Sequence, residues 1–186
     1  MIRVLTLRLY ERHLDAPPAA VAVTPGVEIE MWDSPAAAGQ VGTRWHPEAA
    51  QRFSEGQVCA VARAGADVVA YCWLTAAPVS VVEIDRMLIP GTDEVYFYDA
   101  FTSPAWRGRG LFTALLLRLQ QFAHAKGRRR ALIFVLAGNV PSWRAIERAG
   151  FTMFQTVTKI EVLGLAHVRF GGPRSGRSRV SLVAAR

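Results

Sequence analysis

Apolar and polar positions alternate along most of the first hundred residues and then give way to a helical spacing. Residues 2 to 9 place Ile2, Val4, Leu5, Leu7 and Leu9 among polar neighbours and predict a strand. Pro17, Pro18, Pro25 and Gly26 interrupt it before a second predicted strand at 27 to 32. Residues 34 to 54 lose the alternation and carry alanines, Pro47 and a polar string, which predicts one or two short helices ended by Gly56. Two β-prone runs, 58 to 63 and 68 to 74, flank Ala64-Gly-Ala-Asp and predict a hairpin. Runs at 81 to 88 and 95 to 102 predict two more strands that would continue the hairpin as an antiparallel meander. From Gly110 the period changes, because Leu111, Leu115, Leu119 and Phe122 recur at helical spacing up to Gly127. A continuous apolar run at 131 to 136 suits a strand covered on both faces. A helix at 139 to 149 follows, with Pro141 in its first turn and Gly150 at its end. Strand chemistry returns at 151 to 158 and 159 to 168, and Val180 and Leu182 predict a further edge strand.

Composition narrows the class. A chain of 186 residues, 51% hydrophobic and 20% charged, fits one globular domain over residues 1–186. Its first fifty residues carry no motif, and residues 171–186 form a basic tail. The longest apolar runs are far shorter than a membrane span, and Arg3, Arg8, Glu11, Arg12 and His13 break up any secretory leader. The expectation is a cytoplasmic protein with no membrane partner. Two cysteines, Cys59 and Cys72, predict free buried thiols, and His13, His46, His124 and His167 lack ligand spacing, so no metal is expected. The net charge of +7 would suit a polyanion, but no basic stripe with stacking aromatics accompanies it, and no nucleic-acid partner is expected. Arg128, Arg129 and Arg130 follow a helix end, where solvated cations complement the carbonyl pole.

Chemistry concentrates where a strand ends, a glycine-rich turn follows and an amphipathic helix begins, in Thr102-Ser-Pro-Ala-Trp-Arg-Gly-Arg-Gly-Leu-Phe. Glycines allow close approach to the backbone, and unpaired amides at the helix start converge on an anion with the positive end of the macrodipole behind them. Arg107 and Arg109 add charge.

The segment Pro104-Ala-Trp-Arg-Gly-Arg-Gly resembles the coenzyme-A loop of the GNAT acetyltransferase superfamily, Arg/Gln-x-x-Gly-x-Gly/Ala. Arg107 and Gly110 match it, while Phe112 stands at the last position. One strand and one helix later, Asn139-Val-Pro-Ser-Trp-Arg-Ala-Ile-Glu-Arg-Ala-Gly-Phe is similar to that superfamily's Asn-x-x-Ser/Ala helix ending in Gly-Phe. The likeness runs over roughly residues 56 to 160. It implies an α/β (α+β) fold with a mixed, twisted central sheet, helices on both faces, and a split between the strands at 95 to 102 and 131 to 136. It also implies acetyl-CoA as cosubstrate, with cofactor contacts from Phe101, Thr102, Ser103, Arg107, Gly108, Arg109, Gly110, Leu111, Phe112, Asn139 and Ser142. The backbone at Thr102 would contact the thioester carbonyl. Asn139 either contacts pantetheine or caps its helix.

The implied reaction is N-acetylation of a small-molecule or peptide amine by direct attack on the thioester, by a monomer or homodimer. Asp99 is the candidate base, since alternation places Phe97, Asp99 and Phe101 on one face; a structural carboxylate held by backbone or arginine is the other reading. Glu83 and Asp85 are reserve bases, in a stretch from 83 to 94 that also contains Asp93 and Glu94 and would welcome a cationic amine, unless it is solvated loop charge. The position of the superfamily's usual acid, a tyrosine, holds Ile146, leaving Tyr98 and Tyr71 as substitutes. A noncatalytic acyl-CoA-binding module and a transferase of longer acyl groups are the alternatives.

Overall fold

A strand that pairs with different neighbours at its two ends organises the molecule. The computed structural model describes residues 2–16, 18–22, 24–34, 48–163, 165–172 and 180–184. Strand β7 (Glu94–Thr102) runs antiparallel to β4 (Asp67–Thr75) on one side and parallel to β8 (Arg130–Leu136) on the other. The eight-stranded sheet continues outward from this pair in the order β10-β9-β1-β8-β7-β4-β3-β2. Its remaining strands are β1 (Ile2–His13), β2 (Glu28–Trp32), β3 (Val58–Ala64), β9 (Thr152–Val162) and β10 (Leu165–Gly171).

Helices cover both faces. On one face α2 (Leu111–Ala125) and α3 (Val140–Arg148) bury Leu115, Leu116, Leu119 and Ile146 against Ala60, Cys72, Val95 and Phe97. Complete burial of a leucine or phenylalanine contributes roughly 1.5–3 kcal/mol each, so this layer is the main core. On the other face the short helix α1 (Ala49–Ser54) sets Phe53 against Trp73, ring centroids 5.0 Å apart, with Trp32, Val61 and Tyr71 around them. Beside α1 a second sheet of three strands, β11 (Ser181–Ala184), β6 (Arg86–Ile89) and β5 (Val79–Val81), lies over the remainder of that face. It buries Val81, Ile84 and Leu88 with Leu7, Leu9, Tyr96 and Phe154.

Several sequence expectations change. The expected meander is broken, because the run at 81 to 88 holds the end of β5, a 3-10 turn (Val82–Ile84) and most of β6, which belong to the second sheet, and β7 pairs directly with β4. The strand reading at 151 to 168 becomes β9 through Val162 and β10 from Leu165. The helical reading of 34 to 54 is met by α1; residues 35–47 lie outside the described residues. Arg130 is no solvated cation. Its guanidinium is nine-tenths buried, with Nε donating to Glu11 Oε2 at 2.7 Å and Nη1 to Glu94 Oε1 at 2.5 Å. Those partners sit on β1 and β7, so the ion triad ties together three strands at the closed end of the β7–β8 pair. Cys59 and Cys72 are free and buried, as expected.

Candidate active site

Strands β7 and β8 separate because each holds on to a different partner. Their parallel ladder covers only Glu94 to Phe97 against Arg130 to Ile133. Beyond it, β7 stays on β4 through Tyr98, Phe101 and Thr102, and β8 stays on β1 through Phe134, Val135 and Leu136. The register of β7 on β4 slips between Tyr71 and Trp73, so Cys72 faces two residues, Asp99 and Ala100. Asp99 takes up the extra residue in a left-handed conformation, φ 46°. A bulge of this kind bends a strand and increases its twist, which turns β7 away from β8 and opens the wedge. Within the described residues, the β8-facing edge of β7 from Tyr98 to Thr102 has no ladder partner.

One wall of the wedge is the glycine turn. Ser103 N donates to Val69 O at 2.9 Å, a 3-10 turn (Pro104–Trp106) follows, and Gly108 and Gly110 both take φ 76°. An added Cβ at either glycine meets nothing within 4 Å, so the left-handed backbone itself is what demands glycine. The first intrahelical bond of α2 runs from Ala114 N to Gly110 O, leaving the Leu111, Phe112 and Thr113 amides outside the helix ladder. No side chain caps that end. The turn is stiffened by Arg107 Nε donating to Thr102 O at 3.2 Å, by Arg109 stacking 4.6 Å over Trp106, and by Thr24 Oγ1 donating to Arg109 O at 2.9 Å.

These elements frame a cleft of about 690 Å³. Of the residues named from sequence, Phe101, Thr102, Arg107, Gly108, Gly110, Leu111, Phe112, Asn139 and Ser142 line it. Ser103 is engaged through its backbone beside it, and Arg109 lies against Trp106. Phe112 packs partly against the core cluster under α2. Asn139 caps α3, its Oδ1 accepting from Ser142 N at 3.3 Å. Sequence reading missed Arg144 and Arg148, which α3 places on the far rim of the cleft. Their spacing with Pro141 and Ala145, at i, i+3, i+4 and i+7, was the available signal.

The opposite side of the sheet holds the other chemistry. The bulge breaks the alternation, so Phe97 points into the α2 layer while Tyr98, Asp99 and Phe101 belong to the α1 side. There Asp99 Oδ2 accepts from Arg52 Nη1 at 2.6 Å, the arginine contact that the structural reading of this carboxylate expects, with a third of the Asp99 side chain exposed. Arg52 also reaches Glu48 at 3.2 Å, and its guanidinium lies 5.0 Å over Trp73 and 5.1 Å over Tyr98. The Tyr98 hydroxyl donates to Gln57 Oε1. Burial pushes the Tyr98 phenol up to about 12, against the pull of Arg52 and with the charge of Asp99 adding to it. Tyr71, ring 5.7 Å from Phe101, is also pushed up to about 12 by burial and then by Asp99. Burial raises the Cys59 and Cys72 thiols too, keeping both protonated.

The acidic stretch from 83 to 94 does not form one cluster. Asp85 pairs with Lys159 and Glu94 with Arg130, while exposed Glu83 lies near enough to Tyr96 for its charge to help raise that phenol, after burial. Ile146 is fully buried in the α2–α3 layer, so no hydroxyl stands at its position. No group of three or more His, Cys, Asp or Glu poised for a metal occurs among the described residues, and no described helix is long and apolar enough to cross a membrane.

A model of the acetyltransferase (GNAT) family matches residues 26–151. No curated protein matches the sequence. Among solved structures, a GCN5-related N-acetyltransferase from Sphaerobacter thermophilus is 17% identical with a TM-score of 0.60, the match covering 92% of this chain and 54% of that one. An acetyltransferase of the GNAT family from Novosphingobium aromaticivorans is 19% identical at TM-score 0.57, covering 91% and 66%. A tandem GNAT protein from the clavulanic acid biosynthesis pathway is 17% identical at TM-score 0.58, covering 84% and 53%. The chain thus spans about half the length of the first and third of these and two thirds of the second.

Proposed function

The chain belongs to the acetyltransferase (GNAT) family, and from that premise we propose that it transfers the acetyl group of acetyl-CoA to a primary amine of a small molecule or peptide. The observation that carries the proposal is the wedge at β7, with an amide-lined anion site and an arginine-bearing helix along the cleft, and a carboxylate and aromatic rings on the α1 side of the same strand. In this reading the Leu111, Phe112 and Thr113 amides and Gly108 to Gly110 receive the pyrophosphate. Arg107, Arg144 and Arg148 supply cationic partners for the coenzyme's phosphates. The edge of β7 from Tyr98 to Thr102, which has no ladder partner on its β8 side among the described residues, holds the pantetheine arm and sets a backbone donor towards the thioester oxygen, where negative charge grows as the amine attacks.

Asp99, beside the bulge, takes the ammonium proton directly or through a water, so that the neutral amine attacks. The departing thiolate, with a thiol pKa of ~8.5, needs no strong acid, which is consistent with Ile146 at the position where the family commonly has tyrosine. Glu83 lies on the same side of the sheet and would favour a cationic acceptor, whereas Asp85 is engaged by Lys159. The buried Ile146 favours a second reading, an acyl-CoA binder without turnover.

Free-thiol release from acetyl-CoA across a panel of amines, run beside calorimetric binding of the coenzyme, separates the two. Release that depends on one amine class supports transfer; tight coenzyme binding with no release from any amine would establish the binder. Longer acyl-CoA substrates in the same assay report chain length. Asp99→Asn is expected to lower turnover by about 100-fold, the scale of general-base assistance, with recovery at high pH where the free amine is supplied by the solvent.

A further inference from the structure

Arg52 is the most heavily engaged side chain on the acceptor side, and its contacts converge on the one strained residue of β7. Asp99 is not glycine, yet it adopts φ 46°, a conformation that costs free energy for any residue with a Cβ and persists only where surroundings hold it. One contact that holds it is Arg52, whose Nη1 reaches Asp99 Oδ2 at 2.6 Å. The arginine is itself fixed from three directions. Its guanidinium is layered over Trp73 and Tyr98, its Nη2 is taken by Glu48 one turn earlier on the chain, and only 14% of its side chain is exposed. A second tie runs in parallel, since the Tyr98 hydroxyl bonds to Gln57, which follows α1 directly and is buried. Helix α1 has six residues and is too short to be stable by itself, so its docking through Phe53 on Trp73 sets where Arg52 stands.

We propose that Arg52 is a positioning residue for acyl transfer, holding Asp99 and the β7 bulge in the geometry that points one at the acceptor amine and the other at the thioester. The proposal rests on the transferase reading for its kinetic consequence, but not for its structural one. Lysine cannot replace it. An ammonium lacks the planar fork that serves two carboxylates while lying flat on two rings. Among the described residues, the charged and titratable groups around Asp99 include Arg52 from α1 and Glu48 at its start, Tyr71, Cys59 and Cys72 from the neighbouring strands, and Tyr98 on its own strand. Of these Arg52 is the cation, and its removal takes away the charge-assisted hydrogen bond to Asp99 Oδ2.

The test compares Arg52→Gln, Arg52→Lys, Asp99→Asn and the Arg52→Gln/Asp99→Asn double variant. Hydrogen exchange gives a readout independent of activity: amides of residues 98–102 should exchange about tenfold or more faster in both Arg52 variants, with residues 94–97 unchanged. For turnover, each Arg52 variant should lose about 10- to 100-fold in kcat, the scale of a sub-ångström to ångström misplacement, while coenzyme affinity stays within about twofold. The double variant should be no worse than Asp99→Asn alone, since Arg52 acts through Asp99. Unchanged exchange at 98–102 in both single Arg52 variants would overturn the proposal, as would multiplicative losses in the double variant. Should no amine of the panel elicit thiol release from the wild-type chain, the transferase reading falls, and exchange at the bulge still decides whether Arg52 holds it. If Arg52→Gln does not fold, the milder Arg52→Lys carries the same comparison.

Discussion

The two walls of the split differ in how they are encoded. The wall proposed for the coenzyme is almost one continuous stretch, residues 102–113, completed by one face of α3. Its anion site depends on two glycines in left-handed turns and on the amides of a helix start, features set by neighbours in sequence. The side proposed for the acceptor is gathered from distant segments: Glu48 to Gln57 around α1, Tyr71 and Trp73 on β4, and Tyr98 to Phe101 on β7. Its central element, the bulge at Asp99, exists only because β4 and β7 pair out of step. A locally encoded wall tolerates change elsewhere in the sheet, whereas an assembled wall depends on register and docking across the fold.

The largest expected effect tests whether both walls rest on a common support. Arg130 bonds to Glu94 on β7 and to Glu11 on β1 at the closed end of the split. Arg130→Ala removes the buried guanidinium that the Glu11 and Glu94 carboxylates share, and breaking a buried pair in this way costs about 3–5 kcal/mol. That should lower the melting temperature by roughly 10 °C. Coenzyme binding and turnover should fall together as the folded fraction shrinks on warming. A variant that keeps the wild-type melting curve would show that the parallel ladder closes the split without the triad.

The same division explains what could be read from the chain alone. The glycine turn, α2, α3, the β3–β4 hairpin and the capping role of Asn139 all follow from residues close in sequence, and each appears where its pattern places it. Strand β1 was legible as a strand but not as the neighbour of both β8 and β9, because pairing over more than a hundred residues leaves no periodic trace. It lies outside the residues that the family model matches and yet sits inside the sheet. The run at 81 to 88 looked like the third member of a meander because its β-prone residues suit any sheet. Only the pairing of β6 with β11, ninety residues later, assigns it to the second sheet. Asp99 was singled out by type, but its face was misread, since alternation fails at a bulge. Arg130 looked like its two solvated neighbours because the carboxylates that bury it come from elsewhere.

A smaller, one-sided effect is expected on the coenzyme wall. Arg107→Ala and Arg148→Ala remove exposed cations from a cleft whose amide donors remain. Each should weaken coenzyme binding by about tenfold, within the range for a charge-assisted contact to a phosphate. Gly110→Ala should add to this, because a Cβ at φ 76° costs about 1–2 kcal/mol in backbone strain at the start of α2. Calorimetry at two salt concentrations checks the electrostatic part: the arginine losses should shrink as salt rises, and the glycine loss should not. Equal affinity in all three variants would remove the coenzyme from this wall.

The smallest effect at neutral pH belongs to the tyrosines of the acceptor wall and becomes visible only in alkali. Tyr71 and Tyr98 are pushed up to about 12, mainly by burial, against a value near 10 for the unfolded chain. Tyr10 and Tyr96, the remaining tyrosines, are raised as well, again first by burial. The folded state therefore holds these protons more tightly than the unfolded state. The resulting stability is fully present below pH ~10 and is lost as pH rises through about 12. Phenolate absorbance at 295 nm should stay low as pH passes 10, then rise together with the loss of folded circular dichroism rather than ahead of it. The coenzyme turn contains no tyrosine, so its affinity for coenzyme should hold until that cooperative loss. Arg52→Gln sharpens the comparison, because Arg52 is the cation that favours the Tyr98 phenolate. With it gone, Tyr98 should titrate at still higher pH relative to the remaining tyrosines. A tyrosine that ionises near pH 10 in the folded wild-type protein would instead mean that the acceptor wall is open to water, and that Trp73, Tyr98 and Arg52 are not packed as a unit.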